Sequence, residues 1–107
     1  MSDSTAIFRI LKTIDYAFEN EIKGSDIFDL QEIGISDRRL RIILKSLYEN
    51  GYIDGIHFIY ICNEDIPDYK LDGCHLTIDG MLFLEENSSM KKAYRLLKEA
   101  KDWIPGL

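Results

Sequence analysis

The sequence predicts an α+β, mostly helical fold: a winged helix-turn-helix domain with a two-stranded wing and additional C-terminal helices. Apolar residues recur at helical spacing in three successive segments of the N-terminal half. A β-branched and aromatic run at residues 56–61 is followed by a polar loop and a shorter apolar run, which indicates a hairpin. Helical patterns then return. This order of elements is typical of winged helix-turn-helix domains.

Length and composition predict one domain over residues 1–107. The chain has 46% hydrophobic and 30% charged residues, a mixture that can form one buried core. The first residues lack the basic and apolar pattern of a signal peptide, and the chain has no long apolar run. We therefore expect a cytoplasmic protein in which Cys62 and Cys74 are free thiols.

The first helix is predicted over about residues 5–20, with Ser4 or Thr5 available as its cap. A short second helix is predicted after Ser25 or Asp26, and Gly34 supplies the following turn. The apolar residues that recur at helical spacing in the first helix are Ile7, Ile10, Leu11, Ile14 and Phe18, and the second helix contains Ile27, Phe28, Leu30 and Ile33.

The third helix is predicted over residues 36–50, with Ser36 as its cap and an end at Asn50 and Gly51. Its apolar stripe consists of Leu40, Ile43, Leu44 and Leu47. Arg38, Arg41 and Lys45 follow at i, i+3 and i+7 on another face.

The hairpin is predicted as a strand at residues 56–61, a loop at 63–73 and a returning strand at 74–76. Thr77 is placed to cap a fourth helix, and the residues expected to face inward are Ile78, Met81, Leu82 and either Phe83 or Leu84. Residues 87–89 separate it from a fifth helix, whose apolar side carries Met90, Tyr94, Leu97 and Ile104 and which ends at Pro105 and Gly106.

Two motifs resemble known families. Leu76-Thr77-x-x-Gly80 after a hairpin is similar to the step with which several winged-helix regulators leave the wing, and Leu47-x-x-x-Gly51-Tyr52-Ile53 is similar to their recognition-helix exit. Nearly the whole chain, above all residues 82–88 running into 91–94, resembles the YjcQ family. The resemblance implies a small winged-helix protein of Gram-positive bacteria and their phages. The biochemical role of that family is not established, so the resemblance supports the fold.

Charge is distributed unevenly along the chain. The net charge is -6, from 13 basic and 19 acidic residues. Residues 36–45 nevertheless hold four basic residues against one acid, and residues 88–102 hold five against two. The rest of the chain is strongly acidic, so any anionic partner is expected at one of these two segments.

Enzymatic and cofactor chemistry have little support, and we expect neither an enzyme nor a bound cofactor or metal. The seven glycines form no phosphate-binding pattern. His57, Cys62, Cys74 and His75 fall on the predicted hairpin, but adjacent strand residues point to opposite faces, which does not suit a compact zinc site. A pair of Cys62 with His75 across the hairpin lacks any surrounding catalytic signature.

The third helix carries the main functional hypothesis: a DNA-binding protein, either a transcriptional regulator or a phage accessory protein, that uses this helix for recognition. Arginine and lysine contact phosphates and base edges, so Arg38, Arg39, Arg41 and Lys45 are the candidate DNA-binding residues. This hypothesis requires Arg38, Arg41 and Lys45 to be exposed on one continuous positive face. The acidic loop of the hairpin opposes it, because Glu64, Asp65, Asp68 and Asp72 outnumber Lys70. The alternative is a protein-interaction module without DNA affinity.

The fifth helix is a candidate for dimerisation. Tyr94, Leu97 and Ile104 form the side that would pack on the first helix or on a second copy, and the five cations of the segment are expected to face solvent or DNA. Trp103 is either an exposed anchor or a lid on the core.

Overall fold

The computed structural model describes residues 3–24 and 27–86, with side chains from residue 5 onward. Over these residues the protein is an α+β fold with four helices and one two-stranded antiparallel sheet. The elements in chain order are α1 (Asp3–Glu19), α2 (Leu30–Ile33), α3 (Asp37–Glu49), β1 (Ile53–Ile59), β2 (Asp68–Leu76) and α4 (residues 78–86). None of the helices in this described part is long and apolar enough to cross a membrane.

The N-terminal helices differ in their starts from the sequence prediction. Helix α1 begins at Asp3, so Ser4 and Thr5 lie inside its first turn and do not precede it. Helix α2 begins only at Leu30 and is capped by Asp29, whose carboxylate accepts from two backbone N–H groups at 3.1 and 3.2 Å. Ser25 and Asp26, the predicted caps, lie outside the described residues. Gly34 has the predicted left-handed conformation, with φ 84°.

Ile27 and Phe28 were expected inside α2, and that expectation is wrong. Both precede the helix, yet Phe28 is buried and its ring meets the edge of Tyr69 at 6.2 Å between centroids. The two residues therefore pack against the core from an irregular segment. A side chain needs only to point inward to be buried, and its backbone need not be helical.

Helix α3 confirms its predicted limits. The Ser36 hydroxyl accepts from the N–H of Arg39 at 3.1 Å, and Asn50 ends the helix. The four predicted stripe residues are all buried: Leu40, Ile43, Leu44 and Leu47. This stripe fixes the rotation of α3, which places its basic residues on the outer side.

The hairpin is longer on its return strand than predicted. Strand β2 begins at Asp68, so residues 68–73 belong to the strand and not to a loop, and Ile59 lies opposite Asp68. Strand β1 spans Ile53–Ile59, which leaves Tyr60 and Ile61 outside it. The connection, residues 60–67, is called the hairpin loop below. Leu71 and Tyr69 pack against the core, and this packing holds the added part of β2 in place.

Helix α4 is rotated differently from the prediction. Thr77 caps it as expected, since its hydroxyl accepts from the N–H of Gly80 at 3.1 Å. Leu84 is buried and Phe83 half-buried, whereas the other residues expected inward, Ile78, Met81 and Leu82, are exposed. The physical reason is the close contact of Gly80 with the carbonyl of Tyr52, in the chain segment that leaves α3.

The core lies where α1, α3 and the hairpin meet. Its large side chains with almost no exposure are Ile10, Leu11 and Ile14 of α1, Leu40 and Leu44 of α3, and Ile53 of β1. Helix α1 packs mainly on β2, and α3 packs on β1. The outer face of α3 and the hairpin loop therefore lie next to each other at the surface.

Candidate nucleic-acid interface

Three basic residues of α3 form a row along its outer flank, called here the cationic row: Arg38, Arg41 and Lys45. The row stands roughly opposite the buried stripe, as the helical period requires. Arg39, the fourth candidate, lies on the other side of the exposed surface and is itself exposed. The structure thus places all four predicted residues at the surface of one helix.

The hairpin loop contacts the cationic row along its whole length. The Arg38 guanidinium lies 3.8 Å from the Asp65 carboxylate, and that of Arg41 lies 3.9 Å from the Glu64 carboxylate. Further along, the Lys45 ammonium stands 5.5 Å from the centre of the Tyr60 ring, within cation–π range. Each cation of the row therefore has a partner in the loop.

Arg41 is the most constrained member of the row. Its Nε donates to the Asp37 carboxylate at 2.9 Å, and its Nη2 lies 2.8 Å from the same oxygen, one helical turn away. The hydrogen bond to Asp37 raises the pKa of the Arg41 guanidinium, and the negative charges of Asp68 and Glu64 act in the same direction. The Arg41 side chain is 28% exposed, against 68% for Arg38.

The cationic row lies on one flank of α3, and acidic side chains of α3 and of the hairpin loop lie against it. Asp65 contacts Arg38, Asp37 and Glu64 contact Arg41, and the charge of Asp68 also acts on Arg41. A cleft of about 330 Å³ separates the start of α3 from the loop, and it is lined by Arg38 and Arg41 and by Asn63, Glu64 and Asp65. Its mouth carries both signs of charge.

Exposed apolar side chains lie on the hairpin and on α3, the two elements that carry these charges. Tyr60 is 70% exposed in the hairpin loop, and Ile59 and Ile61 on either side of it are each about half exposed. Ile42 and Tyr48 add partly exposed apolar surface on α3, and the Tyr48 ring meets the edge of Phe58 at 5.6 Å. Sequence reasoning singled out the cations and the loop acids but missed this apolar component, although the run Ile59-Tyr60-Ile61 at the end of a strand was its visible signal.

The residues considered for catalysis and metal binding are dispersed. Cys62 is exposed in the hairpin loop, whereas His75 pairs with Asp54 at the far end of the sheet. The strand register separates Cys62 from His75 by roughly 20 Å, which precludes a nucleophile–base pair. Within residues 3–24 and 27–86 we find no three His, Cys, Asp or Glu side chains that are grouped to hold a metal.

Cys74 is the buried thiol, and its surroundings keep it protonated. Burial raises its pKa from 9.0 to about 11, and the nearby Asp54 charge adds to this. It forms part of a half-open groove of about 560 Å³ at the end of α1, together with Phe18, Ile22 and Leu71. Neither Cys62 nor His75 lines that groove.

The dimerisation candidates Tyr94, Leu97 and Ile104, with Trp103, lie outside the described residues.

The fold, and the charged surface that α3 forms with the hairpin loop, define the class of protein: a small α+β protein with a charged helix-and-hairpin surface. The model of the YjcQ protein family matches residues 8–103 of the chain. An uncharacterized protein YjcQ from Bacillus subtilis (strain 168) is 37% identical over 91 residues, which cover 83% of this chain and 92% of the relative. No solved structure matches. The chain belongs to the YjcQ family.

Proposed function

We propose that the protein is a winged-helix module that binds double-stranded DNA through α3, with the hairpin loop as its wing. The observation that carries the proposal is the charge of α3 itself. Four cations occupy its outer surface, while its two acids, Asp37 and Glu49, stand at its two ends. A helix of this kind, held on the core by an apolar stripe, has the form that enters a major groove.

Most of the opposing charge belongs to another element and is loosely attached. The contacts from Arg38 and Arg41 to the loop acids, at 3.8 and 3.9 Å, exceed hydrogen-bond length. Exposed pairs of this kind contribute about 0–1 kcal/mol, so phosphate oxygens can replace the loop carboxylates as partners. The carboxylates stay near the DNA after this exchange, so we expect weak affinity.

The four residues then take different roles. Arg38 and Lys45 are the cations most available to phosphates, because their partners are an exposed carboxylate and an exposed ring. Arg39 reaches the duplex from the other side of α3. Arg41 is held by Asp37 in two contacts, and its role is to orient the start of the helix and not to read a base edge.

The experiment is fluorescence anisotropy of a labelled mixed-sequence duplex at several salt concentrations. We expect binding at low salt that weakens with a log–log slope of about -2 to -3, because each phosphate contact contributes roughly -0.9. The double variant Arg38→Glu/Lys45→Glu abolishes binding. The matched control Lys12→Glu/Lys23→Glu makes the same change in net charge at exposed lysines of α1 and the following loop, and it retains binding within a few-fold. Failure of the wild-type protein to bind at low salt would contradict the proposal.

A protein partner is the second candidate, and the exposed apolar residues of the hairpin loop favour it. Interface centres are rich in tyrosine and arginine and poor in unpaired charge. The hairpin loop fits that description, because it carries the exposed Tyr60 together with the carboxylates that pair with Arg38 and Arg41. This candidate predicts that duplex DNA stays unbound even when the loop acids are neutralised, a case that the last prediction of the Discussion addresses.

A further inference from the structure

Helix α4 presents an apolar outer face, defined here as Ile78, Met81 and Leu82. Their exposed fractions are 75%, 53% and 58%. At one turn of spacing, they form one continuous patch on a short helix. Single exposed apolar residues are ordinary, but such a group marks a surface that another segment covers.

Helix α4 cannot rotate about its axis to bury this face, because its other side is held by close contacts. Gly80 occupies the inner side, where an added Cβ would stand 2.0 Å from the Tyr52 carbonyl oxygen. The ring of Phe83 lies 5.2 Å from that of Tyr52, and Leu84 is buried in the core. A rotation that buried Ile78 or Leu82 would expel these three contacts.

The 21 residues after α4 have the pattern of a segment that fits such a face. Apolar residues recur at helical spacing at Met90, Ala93, Tyr94, Leu97, Ala100 and Ile104. The charges are complementary as well. Helix α4 carries Asp79, Glu85 and Glu86 and no cation, whereas residues 88–102 carry five cations against two acids.

We propose that residues 87–107 return across α4 in the same chain and cover its apolar outer face. The three residues Asn87, Ser88 and Ser89 are enough in number for a connection between antiparallel helices. An antiparallel return with its turn centred at Ser88 would bring Tyr94 opposite Leu82 and Leu97 to within one residue of Ile78. The apolar residues first considered for dimerisation are thereby used within one chain.

A second copy could offer the same segment, but the short connection favours the same chain. A segment tethered by a few residues has an effective concentration in the millimolar range, far above that of a second molecule in a dilute solution. Covering each large apolar side chain contributes roughly 1–2 kcal/mol of favourable free energy. A tethered segment contributes it without the entropy cost of bringing two molecules together.

Disulfide trapping in the full chain tests the proposal. Leu82→Cys/Tyr94→Cys and Ile78→Cys/Leu97→Cys are each made with Cys62→Ser, while the buried Cys74 is retained. Mild oxidation is expected to give a reducible monomer of higher mobility for at least one pair. The control pair Asp79→Cys/Tyr94→Cys, also with Cys62→Ser, has nearly the same tether but does not use the apolar outer face, and it is expected to form the bond much more slowly. Covalent dimers in place of the internal bond, or no cross-link for either pair, would overturn the proposal.

A stability measurement supplies a second test that needs no cross-link. Leu82→Glu keeps a similar helix propensity, and it is expected to lower Tm by roughly 5 °C or more if residues 87–107 cover the side chain. The matched control Ile61→Glu, at a half-exposed position of the hairpin loop, is expected to change Tm by much less. Equal and small effects of the two variants would show that the outer face of α4 is uncovered.

Discussion

Gly80 lies against the carbonyl of Tyr52 so closely that a Cβ added at Gly80 would stand 2.0 Å from that oxygen and 3.0 Å from its carbon. The same carbonyl accepts from the Thr77 N–H at 3.0 Å. The first turn of α4 is therefore docked on the chain segment that leaves α3. The Leu-Thr-x-x-Gly motif owes its glycine to this close approach and not to a special backbone angle.

Gly80→Ala is therefore expected to destabilise the protein, although alanine is the better helix former. The backbone of Tyr52 cannot move aside without disturbing the start of β1, so the clash displaces α4, and we expect a loss of about 3 kcal/mol or more. Urea unfolding measures it. Asp79→Ala, at the exposed neighbouring position, is the control and is expected to stay within about 0.5 kcal/mol of the wild type. A Gly80→Ala variant of wild-type stability would show that the contact is not tight.

Thr77 connects the same two segments through its side chain. Its hydroxyl donates to the Gly51 carbonyl and accepts from the Gly80 N–H. Thr77→Ala removes both bonds, and we expect a loss of about 1–2 kcal/mol in the free energy of unfolding. Thr77→Ser retains the hydroxyl and is expected to recover most of that loss. If alanine and serine variants unfold at the same urea concentration, the hydroxyl has no such role.

The sequence allows α1, α3 and the cap of α4 to be predicted because the signals for them are local. A capping residue followed by an apolar stripe, as in Ser36 and Leu40, needs no knowledge of the rest of the fold. The start of β2 was also readable, since Asp68-Tyr69-Lys70-Leu71-Asp72 alternates polar and apolar residues. The stretch was predicted as a loop because it is polar in composition and is flanked by Pro67 and Gly73.

The remaining differences depend on contacts between distant segments. The inner face of α4 is decided by the approach of Gly80 to Tyr52, across 28 residues of chain. The pairing of Arg38 with Asp65 depends on how far the hairpin loop reaches over α3. Composition showed that the loop is acidic, but it could not show that the loop acids lie against the very cations chosen as DNA contacts.

Cys74 is expected to make stability depend on alkaline pH. Burial raises the pKa of its thiol from 9.0 to about 11, so the unfolded chain loses this proton at lower pH than the folded protein does. The contribution is fully present below about pH 9 and falls as pH rises through about 11, because only the unfolded state has then lost the proton. Urea midpoints at about pH 8 and about pH 10.5 measure the fall. Cys74→Ala, which lacks the thiol but keeps all other titrating groups, is expected to show a smaller fall, and an equal fall would contradict this assignment.

The loop acids are expected to control DNA affinity. Glu64→Gln/Asp65→Asn releases Arg38 and removes two negative charges from the proposed DNA contact surface. We expect the dissociation constant for duplex DNA at low salt to fall about fivefold or more, equivalent to roughly 1 kcal/mol for charges in a largely solvated surface. Anisotropy titrations of the kind described above measure it. Glu19→Gln/Glu21→Gln, the control, makes the same change in net charge at the end of α1, away from the hairpin loop, and is expected to leave affinity nearly unchanged.

Three outcomes of this comparison separate the candidate functions. A gain for the loop variant alone supports DNA binding by α3 under the restraint of an acidic wing. An equal gain for both variants would mean that net charge alone governs a nonspecific attraction, and the assignment of α3 would fail. If neither variant binds at low salt, the paired arginines and Tyr60 are better explained as the centre of a protein interface, since phosphates then cannot replace Asp65 and Glu64 even when those charges are gone.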